Sequence, residues 1–145
     1  MESWIFDVDG TIADPTHRRG YVQNKPKRWD LWNKTMHLDA YHHDIIEFVH
    51  YAIASGREVI ICTGREDTYR EVTEEWFRKG NIPFDKMYMR KAKDYRSDDI
   101  VKEEMYHELI KDGYNPVLVF DDRNSVVAKW RELGLRCIQV NQGDF

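Results

Sequence analysis

The chain has 145 residues, of which 41% are hydrophobic and 13% aromatic. This length fits one ordinary domain with a single core, and the apolar fraction excludes a disordered chain. The formal net charge of −4 excludes a globally basic nucleic-acid binder.

Strand-like apolar runs alternate with helix-like segments along the chain. We predict strands at 3–6, 59–62, 86–89, 117–120 and 136–140, and helices at 44–55, 67–79, 98–111 and 125–133. The strands read as unbroken apolar runs, which is typical of strands buried on both faces, whereas apolar residues in the helices recur at helical spacing. This alternation predicts an α/β fold, a Rossmann-like three-layer α/β/α sandwich around a central parallel sheet.

Residues 15–42 break this alternation directly after the first strand. Their pattern is irregular and is interrupted by Pro15, Gly20 and Pro26. We therefore expect a single domain over residues 1–145, in which 15–42 form a small cap or lid over the strand ends. Basic residues are concentrated in this segment: His17, Arg18, Arg19, Lys25, Lys27, Arg28 and Lys34. A basic stretch beside an acidic site suits a phosphorylated ligand, although a charge run alone is also typical of a solvated loop.

The same segment contains two tryptophans, Trp29 and Trp32, three residues apart. Aromatic side chains of single-strand binders stack on nucleobases, so these rings could contact a nucleic acid. The spacing is also that of one helical turn, and we favour a turn that packs on the core.

Cysteine content and hydropathy indicate in which cellular compartment the protein acts. The two cysteines form no CxxC motif, and Cys62 lies in an apolar run, so we expect a reducing cytoplasm. The amino-terminal sequence lacks the features of a signal peptide, and no apolar run reaches transmembrane length. We expect no membrane association, and the sequence indicates no obligate protein partner.

The carboxyl ends of the predicted strands are where ligands of open parallel sheets bind. The polar residues at these ends are Asp7 and Asp9 after the first strand, Thr63, Gly64 and Arg65 after the second, and Asp121 and Asp122 after the fourth. Four carboxylates in one place repel each other unless a cation lies among them, and oxygen ligands favour Mg²⁺. Such a site, with hydroxyl and cationic groups nearby, fits phosphoryl transfer with a carboxylate as nucleophile.

These segments resemble, in order and over nearly the whole chain, the four motifs of the haloacid dehalogenase (HAD) phosphohydrolase superfamily. Phe6-Asp7-Val8-Asp9-Gly10-Thr11 resembles the first motif, and Thr63 after a strand resembles the second. Lys102 resembles the third, and Asp121-Asp122 after an apolar strand resembles the fourth. The DxDGT pattern alone is moderately specific, whereas the ordered set is strongly specific. The resemblance implies a HAD-like fold with a small cap insertion.

The resemblance also implies roles for the matching residues. Asp7 would be the nucleophile, and Asp9 would be the general acid and base. Gly10 would allow the tight turn that exposes both carboxylates. Mg²⁺ is the implied cofactor, held by Asp7, Asp121, Asp122 and the backbone carbonyl of Asp9.

The resemblance narrows to the phosphatase domain of phage-type polynucleotide 5′-kinase/3′-phosphatases. It rests on the segment 95–104, on Phe120-Asp121-Asp122-Arg123, and on the terminal Gln142-Gly143-Asp144-Phe145. Phosphate or substrate contacts are thereby implied for Thr63, Gly64, Arg65, Lys102 and Arg18. Asp98 lies four residues before Lys102 on a helix, so it could orient Lys102 or an arginine. Simpler interpretations are a helix cap for Thr63 and surface positions for Lys102 and the arginines.

The predicted function is therefore Mg²⁺-dependent hydrolysis of phosphomonoesters on nucleic-acid 3′ ends or nucleotides, which would be the chain's binding partners. No Gly-x-x-x-x-Gly-Lys-[Ser/Thr] phosphate loop occurs, so we expect a stand-alone phosphatase, with phage origin and action in the host cytoplasm as one possibility. A nucleotidase or small-molecule phosphatase is the alternative within the class. A phosphoaspartate receiver or a non-catalytic binding module is the alternative outside it.

Overall fold

The computed structural model covers residues 1–145. Five strands form one sheet: β1 Glu2–Phe6, β4 Glu58–Glu66, β5 Lys86–Arg90, β6 Asn115–Asp121 and β7 Arg136–Gln139. Two more form a small antiparallel ribbon: β2 Ala13–Asp14 and β3 Ala40–Tyr41. The helices are α1 Gly20–Gln23, α2 Trp29–Lys34, α3 His43–Ala54, α4 Arg70–Lys79, α5 Asp98–Lys111 and α6 Asn124–Glu132. None of them combines the length and the apolarity that crossing a membrane requires.

The five-stranded sheet is entirely parallel, with the strand order β5-β4-β1-β6-β7. A helical segment connects each strand to the next along the chain, as parallel pairing requires. The central strand is β1, which lies between β4 and β6. The predicted α/β fold with a central parallel sheet is confirmed.

Both faces of the sheet are covered, because successive residues of a strand point to opposite sides. Phe6 and Ile61 belong to the core shared with α3 and α4, whereas Ile5 and Ile60 belong to the core shared with α5 and α6. All four side chains have no exposed surface. Burial on both faces explains why the central strands read as unbroken apolar runs, and the two cores produce the three layers.

Three strands extend beyond their predicted ends, β5 by one residue to Arg90. β4 continues through Thr63, Gly64 and Arg65 to Glu66, and β6 includes Asp121. The register of β4 against β5 shifts between Thr63 and Glu66. An apolar run marks where a strand is buried on both faces, but backbone pairing continues past it. The predicted polar residues therefore occupy the last positions of the strands as well as the loops that follow.

The cap segment, as we call residues 15–42, contains more regular structure than its sequence pattern predicted, which was only a helical turn at Trp29 and Trp32. Besides α1 and α2 it forms 3₁₀ turns at Thr16–Arg18 and Met36–Leu38. Helices of four and six residues are too short to show an amphipathic period. The segment is tied to the rest of the fold where Nε1 of Trp76 on α4 donates to the backbone carbonyl of Asp39 (2.9 Å).

Candidate active site

The strand order brings the predicted polar residues to one edge of the sheet. Asp7 directly follows β1, which pairs on one side with β4, the strand of Thr63, and on the other with β6, which ends at Asp121. The backbone amide of Asp7 donates to the Phe120 carbonyl of β6 (3.0 Å), which fixes the residue at the strand end. Residues far apart in the sequence thus meet where parallel folds bind their ligands.

Three buried carboxylates lie together at this edge, and one ammonium contacts two of them. The residues Asp7, Asp121 and Asp122, here called the carboxylate cluster, each offer an oxygen within 4.8 Å of the others. The Nζ of Lys102 on α5 lies 2.9 Å from Oδ1 of Asp7 and 3.0 Å from Oδ2 of Asp121. Burial opposes the charge of Lys102, but Asp121 and then Asp7 raise its pKa well above the usual value, so the ammonium stays charged.

The carboxylate cluster carries more negative charge than Lys102 can balance. Burial, and then the negative charge of Asp121, raises the pKa of Asp7 well above its usual value. The same two causes raise the pKa of Asp122 to about 6. Three carboxylates against a single ammonium leave an excess equal to the charge of one divalent cation, and the donors are all oxygen atoms. The cluster therefore fits Mg²⁺, a hard cation that prefers such ligands.

The side chain of Asp9 has a different environment, because it lies between two buried arginines. It accepts a hydrogen bond from Nη2 of Arg18 (2.6 Å) and another from Nη2 of Arg65 (2.7 Å). Burial alone would raise the pKa of Asp9, but the charge and hydrogen bonds of Arg65, followed by those of Arg18, lower it to about 2. Asp9 is thus a carboxylate at neutral pH, although it lies only two residues from Asp7, whose pKa is raised.

A second carboxylate, Asp39, completes the arginine site and was not predicted. It accepts hydrogen bonds from Arg18 Nε (2.8 Å) and from Arg65 Nη2 (3.2 Å), and it lies 2.7 Å from His17 Nε2. Its side chain is fully buried. Asp39 lies in the cap segment beside no recognisable motif, so nothing in the sequence distinguishes it from a surface aspartate. Arg18 and Arg65 are likewise buried rather than at the surface.

Two glycines of the site are required by close approaches. Gly10 has φ +86°, and a Cβ there would lie 2.0 Å from Oδ2 of Asp122. A Cβ on Gly64 would lie 2.7 Å from Oδ1 of Asp98. Neither position tolerates a side chain without displacing a carboxylate of the site. Gly10 was predicted for its turn, and its contact with Asp122 is a second reason for the glycine.

Asp98 orients two arginines rather than Lys102. One of its oxygens pairs with Nη2 of Arg90, and the other accepts from Nη1 of Arg123 (3.0 Å). Arg90 also donates from Nε to the Gly64 carbonyl (2.8 Å). Of the two roles considered for Asp98, the structure places the side chain for the arginine role.

Several further side chains hold the site in place. Thr11 Oγ1 donates to Asp7 (3.3 Å), and Trp130 Nε1 donates to Asp121 (3.1 Å). The hydroxyl of Thr63 is fully buried and accepts the backbone amide of Arg65 (3.2 Å). Trp130 was missed as a site residue because its position on α6 is that of an ordinary core residue.

Comparisons with known proteins agree with this site. The family described as "Polynucleotide kinase PNKP phosphatase domain" matches residues 1–145. A protein of Autographa californica nuclear polyhedrosis virus that carries the name bifunctional polynucleotide kinase/RNA ligase is 34% identical over 134 residues. The match covers 89% of this chain and 18% of the viral protein.

Solved structures with a similar fold also include a chain of an RNA repair complex and a phosphatase. A chain from the structure of the Pnkp1/Rnl/Hen1 RNA repair complex is 37% identical and superposes with a TM-score of 0.87, covering 99% of this chain and 43% of that one. The class C acid phosphatase from Bacillus anthracis, at 18% identity, shares the fold with a TM-score of 0.72 over 97% of this chain and 66% of its own. This chain spans less than half the length of the viral and Pnkp1 relatives. The predicted HAD resemblance is confirmed: the chain belongs to the family of polynucleotide kinase-phosphatase phosphatase domains and is a phosphatase of the HAD type.

Proposed function

We propose that this protein is a Mg²⁺-dependent phosphomonoesterase that removes the 3′-phosphate of polynucleotide ends through an aspartyl-phosphate on Asp7. The observation that carries the proposal is the contrast between Asp7 and Asp9. Asp7 lies against Lys102 among acidic residues, whereas Asp9 lies between two arginines. Two carboxyl groups with such different neighbours suit a division of roles between a nucleophile and an acid-base group. Mg²⁺ bound in the carboxylate cluster would lower the pKa of Asp7 and keep it ionised as the nucleophile.

In the proposed reaction, Asp7 is the nucleophile. A carboxylate oxygen of Asp7 attacks phosphorus, the bond from phosphorus to the 3′-oxygen breaks, and the leaving oxygen takes a proton from Asp9. Water then attacks the phosphorus of the aspartyl-phosphate while Asp9 takes a proton from that water. The acyl phosphate bond breaks, inorganic phosphate leaves, and the Asp7 carboxylate is restored.

The environment of Asp9 suits both halves of this cycle. A pKa of about 2 keeps the group ionised in the free enzyme, as a base must be for the second step. A phosphate dianion places like charge beside Asp9 and competes for Arg18 and Arg65, and both effects raise a carboxyl pKa. Substrate binding therefore favours the protonated form that the first step needs.

The other residues bind and neutralise the phosphoryl group. Lys102 is charged and lies against Asp7, so it would pair with a phosphoryl oxygen, and the Thr63 hydroxyl would donate to another. The carboxylate cluster, with the backbone carbonyl of Asp9, would hold Mg²⁺. The ion would neutralise negative charge on the phosphoryl oxygens as the phosphorus is attacked.

The choice of a polynucleotide substrate rests on the relatives and on the cap segment. One relative is named for polynucleotide kinase and RNA ligase activity, and another belongs to an RNA repair complex with Rnl and Hen1. We propose the same setting, nucleic-acid repair, for this chain, where a protein partner of that kind would use the 3′-hydroxyl product. The viral relative supports a phage or virus origin, of which phage origin was the possibility that the sequence left open.

Phosphate release from two kinds of substrate tests the proposal. A 3′-phosphorylated oligonucleotide and a panel of nucleoside monophosphates are compared with Mg²⁺, and Asp7→Asn protein serves as the blank. We expect faster release from the oligonucleotide, and no release by either protein when EDTA replaces Mg²⁺. Preference for mononucleotides would instead make the protein a nucleotidase, and equal release by wild type and Asp7→Asn would refute the aspartyl-phosphate.

A further inference from the structure

The cap segment exposes an aromatic ring next to the candidate active site. Trp29 and Trp32 lie on the same face of α2, since residues three apart are neighbours on a helix. Their rings meet edge to face, with centroids 6.4 Å apart. Trp29 remains 54% exposed, so the predicted packing of this turn on the core was wrong for Trp29.

Trp32 connects this pair to the catalytic carboxylate. The guanidinium of Arg18 stacks on the Trp32 ring at 4.0 Å and donates from Nη1 to the Trp32 carbonyl (3.3 Å). The same guanidinium donates from Nη2 to Asp9 (2.6 Å). Two side chains, those of Trp32 and Arg18, therefore separate Trp29 from the carboxylate that would contact the 3′-oxygen of the substrate.

The charges around Trp29 are those that a nucleic-acid strand requires. Lys27 places its Nζ 5.7 Å from the Trp29 ring. The one ion pair within α2 and its preceding loop joins Arg28 to Asp30, which leaves Lys25 and Lys27 without a carboxylate partner. Exposed aromatic rings flanked by unpaired cations are the usual platform for single-stranded nucleic acid, since the rings stack on bases and the cations contact phosphates.

We propose that Trp29 stacks on the base of the nucleotide that carries the 3′-phosphate. This inference rests on the proposed function and adds a specificity determinant to it. Stacking tolerates every base because each has a π face, so the platform would select for the presence of a base rather than for its identity. A phosphate ester without a base would gain nothing from Trp29.

The test crosses a protein change with a substrate change. The value of kcat/KM is measured on two oligonucleotides that differ only in whether the 3′-phosphorylated terminal nucleotide carries a base or is abasic. Trp29→Ala is compared with wild type, with Trp29→Phe, and with Tyr51→Ala, which removes an equally exposed ring from α3. We expect Trp29→Ala to lower kcat/KM about tenfold on the base-bearing end and to leave the abasic end within about twofold. Trp29→Phe should restore most of the loss, and Tyr51→Ala should change neither.

Other outcomes separate failure of this inference from failure of the proposed function. If wild-type protein releases no phosphate from the base-bearing oligonucleotide, the proposed function itself fails. If wild type is active but Trp29→Ala lowers kcat/KM by the same factor on the base-bearing and the abasic oligonucleotide, Trp29 supports the cap structurally and the stacking proposal is wrong. Unchanged activity of Trp29→Ala on both ends would overturn it equally, and circular dichroism of each variant verifies that the fold is retained.

Discussion

At the scale of single residues, the site depends on buried charges that compensate one another. Asp39 and Asp9 together face Arg18 and Arg65, so two carboxylates balance two guanidinium groups. Burying such an arrangement costs desolvation energy, and removing one partner leaves a charge without compensation. The arginines that hold Asp9 are therefore themselves held by a residue of the cap segment.

This balance predicts a large effect for Asp39→Asn. The substitution leaves both buried arginines with the half-buried Asp9 as their only carboxylate, and we expect the free energy of unfolding to fall by about 3–5 kcal/mol. Urea denaturation measures the change. Asp30→Asn is the control, because it removes an exposed pair with Arg28 and should not shift the midpoint measurably. Equal midpoints for Asp39→Asn and wild type would show that the arginines need no second carboxylate.

Gly10 provides a second prediction, with Gly56 as its matched control. Both have a positive φ, +86° and +84°, but a Cβ on Gly10 meets Asp122 whereas a Cβ on Gly56 meets nothing within 4 Å. Left-handed backbone costs about 1–2 kcal/mol for an alanine at either position. We expect Gly10→Ala to lose Mg²⁺-dependent phosphate release and Gly56→Ala to keep it. Similar activities in the two variants would mean that the approach of Gly10 to Asp122 is not needed for catalysis.

At the scale of elements, the sequence predicted those strands and helices whose apolar patterns follow from burial. The five strands and four long helices were found because apolar runs and helical periodicity follow from burial. Of the short helix α2 only the turn at Trp29 and Trp32 was predicted, since six residues show no period and the Arg28 amide before it is held by the Tyr21 carbonyl (2.7 Å). Asp39 was missed for a similar reason, because its contacts come from tertiary structure alone. The Asp7 and Asp121 motifs could be recognised because strand ends fix their positions.

The strands also determine how the two cysteines react. Cys62 lies within β4 and Cys137 within β7, and burial raises the pKa of each thiol to about 12. A pKa raised above that of the unfolded chain keeps the thiol protonated through pH 8, so little thiolate is present to react. We expect iodoacetamide to modify neither cysteine of the native protein at pH 8 and both after denaturation in urea, as measured by mass spectrometry. Rapid native labelling at pH 8 would contradict the buried placement of the labelled residue.

At the scale of the whole molecule, folding gathers the carboxylate cluster from the residue after β1 and from the end of β6 with the residue after it, two distant parts of the chain. Without a cation these groups repel one another in a buried place, so the folded state carries an electrostatic cost that the unfolded chain does not. A cation that binds the folded state alone must therefore stabilise the whole domain by mass action.

This linkage leads to a prediction that does not depend on the substrate. We expect Mg²⁺ at about 100 times its dissociation constant to increase the free energy of unfolding by about 2.7 kcal/mol, beyond the effect of NaCl at equal ionic strength. Asp122→Asn should affect the metal-free protein and the Mg²⁺-dependent increase in opposite directions. Removal of one like charge should stabilise the metal-free protein, while the loss of a ligand should abolish most of the Mg²⁺-dependent increase. Thermal denaturation with EDTA, with NaCl and with Mg²⁺ measures both, and a Mg²⁺ increment that survives in Asp122→Asn would place the ion elsewhere than in the carboxylate cluster.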